Sequence, residues 1–182
     1  MQDGRASQMT EQFLLPLEAL WDEHTKTYRS PVFRHLLDRE SRRAIRYQEA
    51  FALLLVALDR NRNDAGDRTE EGELEIVAEN IRREIRQTDL IGRIGETLIL
   101  LLLHASNGET VKVAERARAR IENYAFRGRS PGERIHYTVS IGAACFPLHT
   151  ADSSLLVEHA MSCLRRAQEE GGNKVLLSRG EK

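Results

Sequence analysis

Residues 86–103, RQTDLIGRIGETLILLLL, decide the fold. Six bulky aliphatic residues in succession, Leu98 to Leu103, are too few to cross a bilayer and the right number for a strand buried on both faces. Gly95, between Ile94 and Glu96, supplies the positive φ of a sharp reversal, so the run is the second strand of a hairpin with a polar tip. Arg86 to Asp89 end the charged helix that leads into it.

Working outward, Phe51 to Leu58 (FALLLVAL) reads as a second buried strand, which delivers Asp59 to a polar loop. Between the two strands, Leu74, Val77, Ala78, Ile81 and Ile85 line one face of a helix from about Glu70 to Gln87. Val111, Ala114, Ala117, Ile121 and Tyr124 repeat that spacing over residues 108–125, and the two helices are expected on one face of a sheet. His136 to Phe146 (HYTVSIGAACF) is a further strand, in which Gly142 marks a bulge or a close backbone approach. Asp152 or Ser153 caps a helix carrying Leu156, Ala160, Cys163, Leu164 and Ala167. Gly171-Gly172 stops it, and Lys174 to Ser178 forms a last short strand.

Upstream, Ser30 as N-cap and Pro31 open a helix through Phe33, Leu36, Leu37, Ala44 and Ile45 to about Tyr47. Met9 to Leu20, followed by Trp21, carries Phe13, Leu14, Leu15, Leu17 and Leu20 at helical spacing, interrupted by Pro16. This stripe either packs back on the domain or pairs with a second copy or another protein. Residues 1–30 therefore read as a helical extension or linker and residues 31–182 as the domain. The element order contains a split βαββαβ core, an α+β fold of ferredoxin-like type with one mixed, mainly antiparallel sheet flanked by helices.

Composition narrows the function. The 27 basic and 28 acidic residues leave a net charge of -1, so no global field recruits nucleic acid or an anionic membrane surface, and any anion site is local. Cys145 and Cys163 show no CxxC spacing and read as buried thiols of a cytoplasmic protein. The six histidines lack HxxxH or HExxH spacing, which argues against zinc. MQDGRASQMT has no apolar stretch of signal-peptide type, and the sequence contains no spanning segment.

From about residue 22 to residue 178 the sequence resembles the GGDEF domain of bacterial diguanylate cyclases, of nucleotidyl-cyclase type. The resemblance rests on TVSIGAACFP (Thr138 to Pro147), on Ala160, Leu164, Ala167, Gly171 and Asn173 of the closing run, and on the helix words VAENI and VAERARARI. DEHTKTYRSPVF keeps Asp22, Thr25 and Phe33 of the family's opening motif. The resemblance implies a half-site for GTP and two divalent cations, whose hard charge calls for oxygen ligands. Asp59 would be the first metal aspartate and Glu96 the acidic ligand of the signature.

Much of that half-site is altered. Asn61 replaces the second aspartate, Asn63 and Asp64 replace a phenylalanine and a lysine, and the loop after Asp59 is several residues shorter than the family's, without clear guanine-reading residues. The signature itself reads Gly95-Glu96-Thr97-Leu98, lacking its second glycine, which is the most permissive backbone unit beside a phosphate. Gln168 and Arg165 stand for a lysine and a tyrosine. Together these changes argue against cyclase activity and make Asp59 and Glu96 a vestigial active site without a resident metal. Magnesium enters only if residual GTP binding survives. A plainer reading makes both residues solvated acids at strand ends.

The inhibitory site implied by the resemblance is retained. Arg86-Gln87-Thr88-Asp89 is an RxxD just before the signature, and Arg116 matches the arginine of the following helix; Arg83 is a secondary phosphate candidate. An arginine fork pairs with guanine O6 and N7 or clamps a phosphate, while a carboxylate accepts from guanine N1 and N2. The plainer reading of Arg86 and Asp89 is an i,i+3 ion pair on a helix end. Three functions follow: a catalytically inactive domain that binds cyclic di-GMP through Arg86, Asp89 and Arg116; an interaction or dimerisation module without nucleotide; and a residual cyclase.

Overall fold

FALLLVAL lies at the centre of the sheet in a computed structural model that describes residues 17–59, 71–127 and 132–179. The elements run β1 (Tyr28–Arg29), α1 (Ser30–Tyr47), β2 (Phe51–Leu58), α2 (Glu71–Arg82), β3 (Leu90–Ile94) and β4 (Thr97–Leu103). They continue with α3 (Asn107–Glu122), β5 (Phe126–Arg127), β6 (Arg134–Ile135), β7 (Val139–Phe146), α4 (Ser153–Glu169) and β8 (Val175–Leu177). Six strands form one mixed sheet in the order β1-β3-β4-β2-β7-β8, with parallel pairs at its two edges and antiparallel pairs between. The expected α+β architecture is the one observed.

Both apolar runs lack alternation because both faces of the sheet are covered. Ala52, Leu54 and Val56 of β2 pack with Leu98, Leu100 and Leu102 of β4 under α2 and α3, through Leu74, Val77, Ile81, Ala114, Ala117 and Ile121. Phe51, Leu53 and Leu55 point the other way, with Ile99 and Leu101, under Phe33 and Leu37 of α1 and Leu156, Ala160 and Leu164 of α4. The expectation that α2 and α3 share one face therefore holds.

Gly142 resolves the choice between bulge and close approach. The ladder runs through it without interruption, pairing it with Leu55 on β2 and Leu176 on β8. What excludes a side chain is α4: a Cβ at Gly142 would sit 2.1 Å from the carbonyl oxygen of Ala160 and 2.3 Å from the amide nitrogen of Leu164. At the hairpin, Ile94 pairs with Thr97, leaving a two-residue turn of Gly95 and Glu96. Gly95 has φ +60° and Glu96 is not in the left-handed region, the pattern of a II′ hairpin.

Several boundaries differ from the sequence reading. α2 ends at Arg82 rather than Gln87: the amides of Arg83 and Glu84 tighten onto Asn80 and Ile81, and the Asp89 side chain then captures the Arg86 amide. A short acid that bonds a nearby amide offers the backbone an alternative to the helix. Arg29, not Ser30, holds the cap position of α1, with no side-chain bond. Asp152 does cap α4, accepting from the Ser154 amide at 2.7 Å. The strand read from His136 begins at Val139, and the two-residue strands β1, β5 and β6 were not expected.

Of the amino-terminal stripe, Leu17–Leu20 form a 3-10 turn and Trp21 stacks on Tyr28 with centroids 4.2 Å apart. Residues 9–16, with Phe13, lie outside the described residues. Cys145 and Cys163 are free and buried, and burial raises both thiols above their ordinary pKa. No helix among the described residues is long and apolar enough to cross a membrane.

Candidate functional site

The strand register sorts the sequence's candidates to opposite ends of the sheet. Ala57 of β2 pairs with Thr97, so Asp59 and the Gly95-Glu96 turn share one end. Phe51 pairs with Leu103 at the other end, where Arg86 and Asp89 lie.

At the first end, Asp59 is half-buried rather than solvated, and its carboxylate is committed to its own chain. One oxygen accepts from the Thr138 hydroxyl and the Asn173 amide, both at 2.7 Å, and the other from the Ser140 hydroxyl. The staple ties the end of β2 to the start of β7 and to the Gly171-Gly172-Asn173 turn. A Cβ on Gly172 would lie 2.9 Å from the Asp59 carboxyl carbon. Hydrogen bonds to a charged acceptor contribute about 1.5–3 kcal/mol each when partly buried, and the rest of the site can reorganise. Asp59→Ala is therefore expected to lower stability by about 2–3 kcal/mol, read as a fall in the urea midpoint at constant slope.

This arrangement does not fit the cation pair that the resemblance implies. Asp59 already accepts three donors, which leaves one lone pair, on the oxygen bonded to Ser140, and among the described residues no three His, Cys, Asp or Glu side chains converge on a possible metal position. Glu96 is exposed at the tip of the two-residue turn, and Arg165 and Gln168 are exposed on α4. Asn61, Asn63 and Asp64 lie outside the described residues.

The hairpin is also tied to the turn before β1. Arg93 donates from Nε to the Gly95 carbonyl at 2.7 Å and from Nη1 to Asp22 at 3.2 Å. Asp22 accepts from the Thr25 amide and hydroxyl at 2.9 and 2.8 Å, and Arg82 holds the Thr25 and Lys26 carbonyls. Burial by itself would raise the Asp22 pKa, but the Thr25 bonds and Arg93 outweigh it and hold the carboxyl below its ordinary value. A depressed folded pKa stabilises above the unfolded value, near 3.9, and the contribution is lost as pH falls through the lower folded value. Trp21, the sole tryptophan, adjoins Asp22. Its fluorescence is expected to report an acid transition below pH ~4, and Asp22→Asn should remove the pH dependence of that step.

At the other end, Arg86, Asp89 and Arg116 line one pocket of about 210 Å³, with Glu84, Glu109 and Lys112 supplying the remaining charge and Leu102, Leu103, Ala105 and Val113 its apolar wall. Arg83 does not line it. The three residues singled out from sequence are brought together by the α2–β3 turn and the third turn of α3. Their contacts differ from the i,i+3 ion pair. Asp89 accepts the Arg86 amide at 2.8 Å on one oxygen and the Leu103 amide at 3.0 Å on the other, so it fastens the turn to the end of β4. Asp89 is half-buried, whereas the Arg86 side chain is 63% exposed and approaches Glu109 at 3.4 Å.

Arg116 bonds the Glu84 carboxylate and carbonyl at 3.1 and 2.8 Å, and the same carboxylate takes Arg120 at 2.8 Å. Glu84, Glu109, Lys112 and Arg120 were missed by the sequence reading. One signal was present: Ser106 and Glu109 have the S-x-x-E spacing of a capping box, which the structure contains in full. Lys112 and Arg116 are likewise one helical turn apart on α3. The pocket is smaller than the ~300–1,000 Å³ that enclose drug-sized ligands, so it suits one part of a ligand and not the whole of a dinucleotide.

Comparison with known proteins accords with the geometry. The family model for the diguanylate cyclase GGDEF domain matches residues 19–174. The chain is 31% identical to diguanylate cyclase DosC of Escherichia coli over 160 residues, 86% of this chain and 34% of DosC. It is 30% identical to diguanylate cyclase A of Treponema denticola over 136 residues, 72% of this chain and 36% of that protein. The chain thus spans about a third of the length of these relatives. Among solved structures, the isolated GGDEF domain of TpbB from Pseudomonas aeruginosa superposes with a TM-score of 0.79 at 25% identity, covering 87% of this chain and 94% of that one. The coiled coil and GGDEF domain of DgcB from Caulobacter crescentus, solved with c-di-GMP, gives 0.81 at 21% identity, covering 96% and 92%, a likeness of fold. With a split βαββαβ core, a hairpin at the signature position and a family match from residue 19 to residue 174, the chain belongs to the diguanylate cyclase GGDEF-domain family.

Proposed function

We propose that this domain binds cyclic di-GMP at the pocket of Arg86, Asp89 and Arg116 and does not synthesise it. The observation that carries the reading is the convergence of these three residues, from two segments, on one pocket. Arg86 presents an exposed guanidinium that can fork onto guanine O6 and N7 or onto a phosphate. Each Asp89 oxygen accepts one backbone amide and retains a second lone pair, so the carboxylate can still accept from guanine N1 and N2. Arg116 lies across the pocket, its guanidinium held by Glu84.

The loss of synthesis is supported at the opposite end of the sheet. Asp59 is engaged by Thr138, Ser140 and Asn173, and the signature turn is one glycine short. No resident cofactor is required for the binding function. The test is calorimetric titration of the purified domain with cyclic di-GMP and, separately, with GTP and magnesium, followed by assay for pyrophosphate release. Binding of the cyclic dinucleotide in the low-micromolar range or tighter, with no pyrophosphate, is the expected result. Pyrophosphate release that disappears in Asp59→Ala would overturn the reading.

A further inference from the structure

The charged groups lining the pocket cancel: Arg86, Lys112 and Arg116 face Glu84, Asp89 and Glu109. Arg120 behind Glu84 adds a fourth cation, but the exposed guanidinium of Arg86 is offset by Glu109, so an anion gains most where that carboxylate gives way. Asp89 is fixed by two backbone amides. Glu84, at 14% exposure, is fixed by Arg116 and Arg120. Glu109 is different: it is 49% exposed and its contact with Arg86 is a single long one, at 3.4 Å. Its other bonds are to the Ser106 amide and hydroxyl, at 3.0 and 2.8 Å, across the capping box of α3.

We propose that Glu109 is an internal occupant of the pocket's anion position, and that a ligand phosphate binds there by displacing it from Arg86, with Lys112 as the second cation. The inference rests on the reading that this pocket takes cyclic di-GMP and assigns its phosphate subsite. Only the Oε1 contact with Arg86 has to break, and an exposed ion pair of this kind is weak, so the displacement is inexpensive. With Oε1 released, the guanidinium of Arg86 is open to the phosphate while Oε2 stays on Ser106. Lys112 has no ion-pair partner among the described residues, leaving its ammonium available to the phosphate. The Ser106 bonds, followed by Arg86, hold the Glu109 carboxyl below its ordinary pKa, so at neutral pH the competitor is charged.

The test compares the intact chain with Glu109→Gln and Lys112→Ala by calorimetry, using cyclic di-GMP and inorganic pyrophosphate as separate probes. Glutamine removes the charge and keeps the reciprocal bonds of the capping box; circular dichroism and the thermal midpoint check that α3 is intact. Glu109→Gln is expected to bind both probes about three- to fivefold more tightly, the scale of one exposed ion pair, and Lys112→Ala about threefold more weakly. Unchanged or weaker binding of both probes by Glu109→Gln overturns the displacement, and unchanged binding by Lys112→Ala removes the lysine from the site. If neither protein binds cyclic di-GMP but Glu109→Gln binds pyrophosphate more tightly, the receptor reading falls and the displacement stands. If neither probe binds either protein, both fall.

Discussion

Gly142→Ala is expected to destabilise the domain by about 3–4 kcal/mol, more than any surface substitution could. The added methyl carbon would meet the Ala160 carbonyl oxygen at 2.1 Å and the Leu164 amide nitrogen at 2.3 Å, both in the backbone of α4. Neither atom can turn aside, so the whole helix must lift from β7, opening the contact that buries Leu156, Ala160 and Leu164 against Phe51 and Leu53. Gly92 is the internal comparison. A Cβ there would meet a side chain and no backbone: Phe33, at 2.5 Å from Cδ2, 2.8 Å from Cγ and 3.0 Å from Cβ, so relief needs a small shift of that side chain on α1 and not of a whole packed helix backbone. Gly92→Ala should therefore cost less, about 1–2 kcal/mol. Urea unfolding of the two variants separates these cases, and a Gly142→Ala midpoint close to that of the unaltered protein would contradict the packing account.

Arg86→Ala is expected to weaken cyclic di-GMP binding by about thirtyfold or more, because a forked, charge-assisted pair is removed from the ligand. Folding stability should change by less than about 0.5 kcal/mol, since an exposed guanidinium with one long ion pair contributes little. Asp89→Ala is a poorer probe than the sequence alone suggests. Its carboxylate holds the Arg86 and Leu103 amides, so the substitution frees two backbone donors and loosens the turn that carries Arg86. Loss of ligand in Asp89→Ala would thus mix recognition with local structure. Full binding by a folded Arg86→Ala protein would exclude this pocket as the dinucleotide site.

The fold was legible because its deciding elements carry long-range information in a local pattern. LILLLL and FALLLVAL lack alternation, and a strand of that kind has to be central and covered on both faces. The spacing of Leu74, Val77, Ala78 and Ile81, and of Ala114, Ala117 and Ile121, then supplied the helices that do the covering. The two-residue strands were illegible because pairing of that length leaves no period to read. The end of α2 was misplaced for a related reason: nothing in the spacing of Ile81 and Ile85 shows that Asp89 will take the Arg86 amide.

The candidate residues were legible by position and less so by role. Arg86, Asp89 and Arg116 do meet, but what partners each guanidinium depends on Glu84 and Glu109, which sequence spacing does not orient. Asp59 was read as either a former ligand or a solvated acid. It is a half-buried staple, because the hydroxyls of Ser140 on β7 and of Thr138 just before it, separated from it by about eighty residues of chain, reach its carboxylate. Only the strand register brings them there.

The most direct test is to follow backbone amide resonances while cyclic di-GMP is added. The account predicts that the amides of Arg86, Leu103, Glu109 and Lys112 shift together along one binding curve, while Gly95 and Glu96, at the other end of the sheet, stay in place. Shifts concentrated at Gly95, Glu96 and the Asp59 staple would place the ligand at the vestigial active site and contradict it.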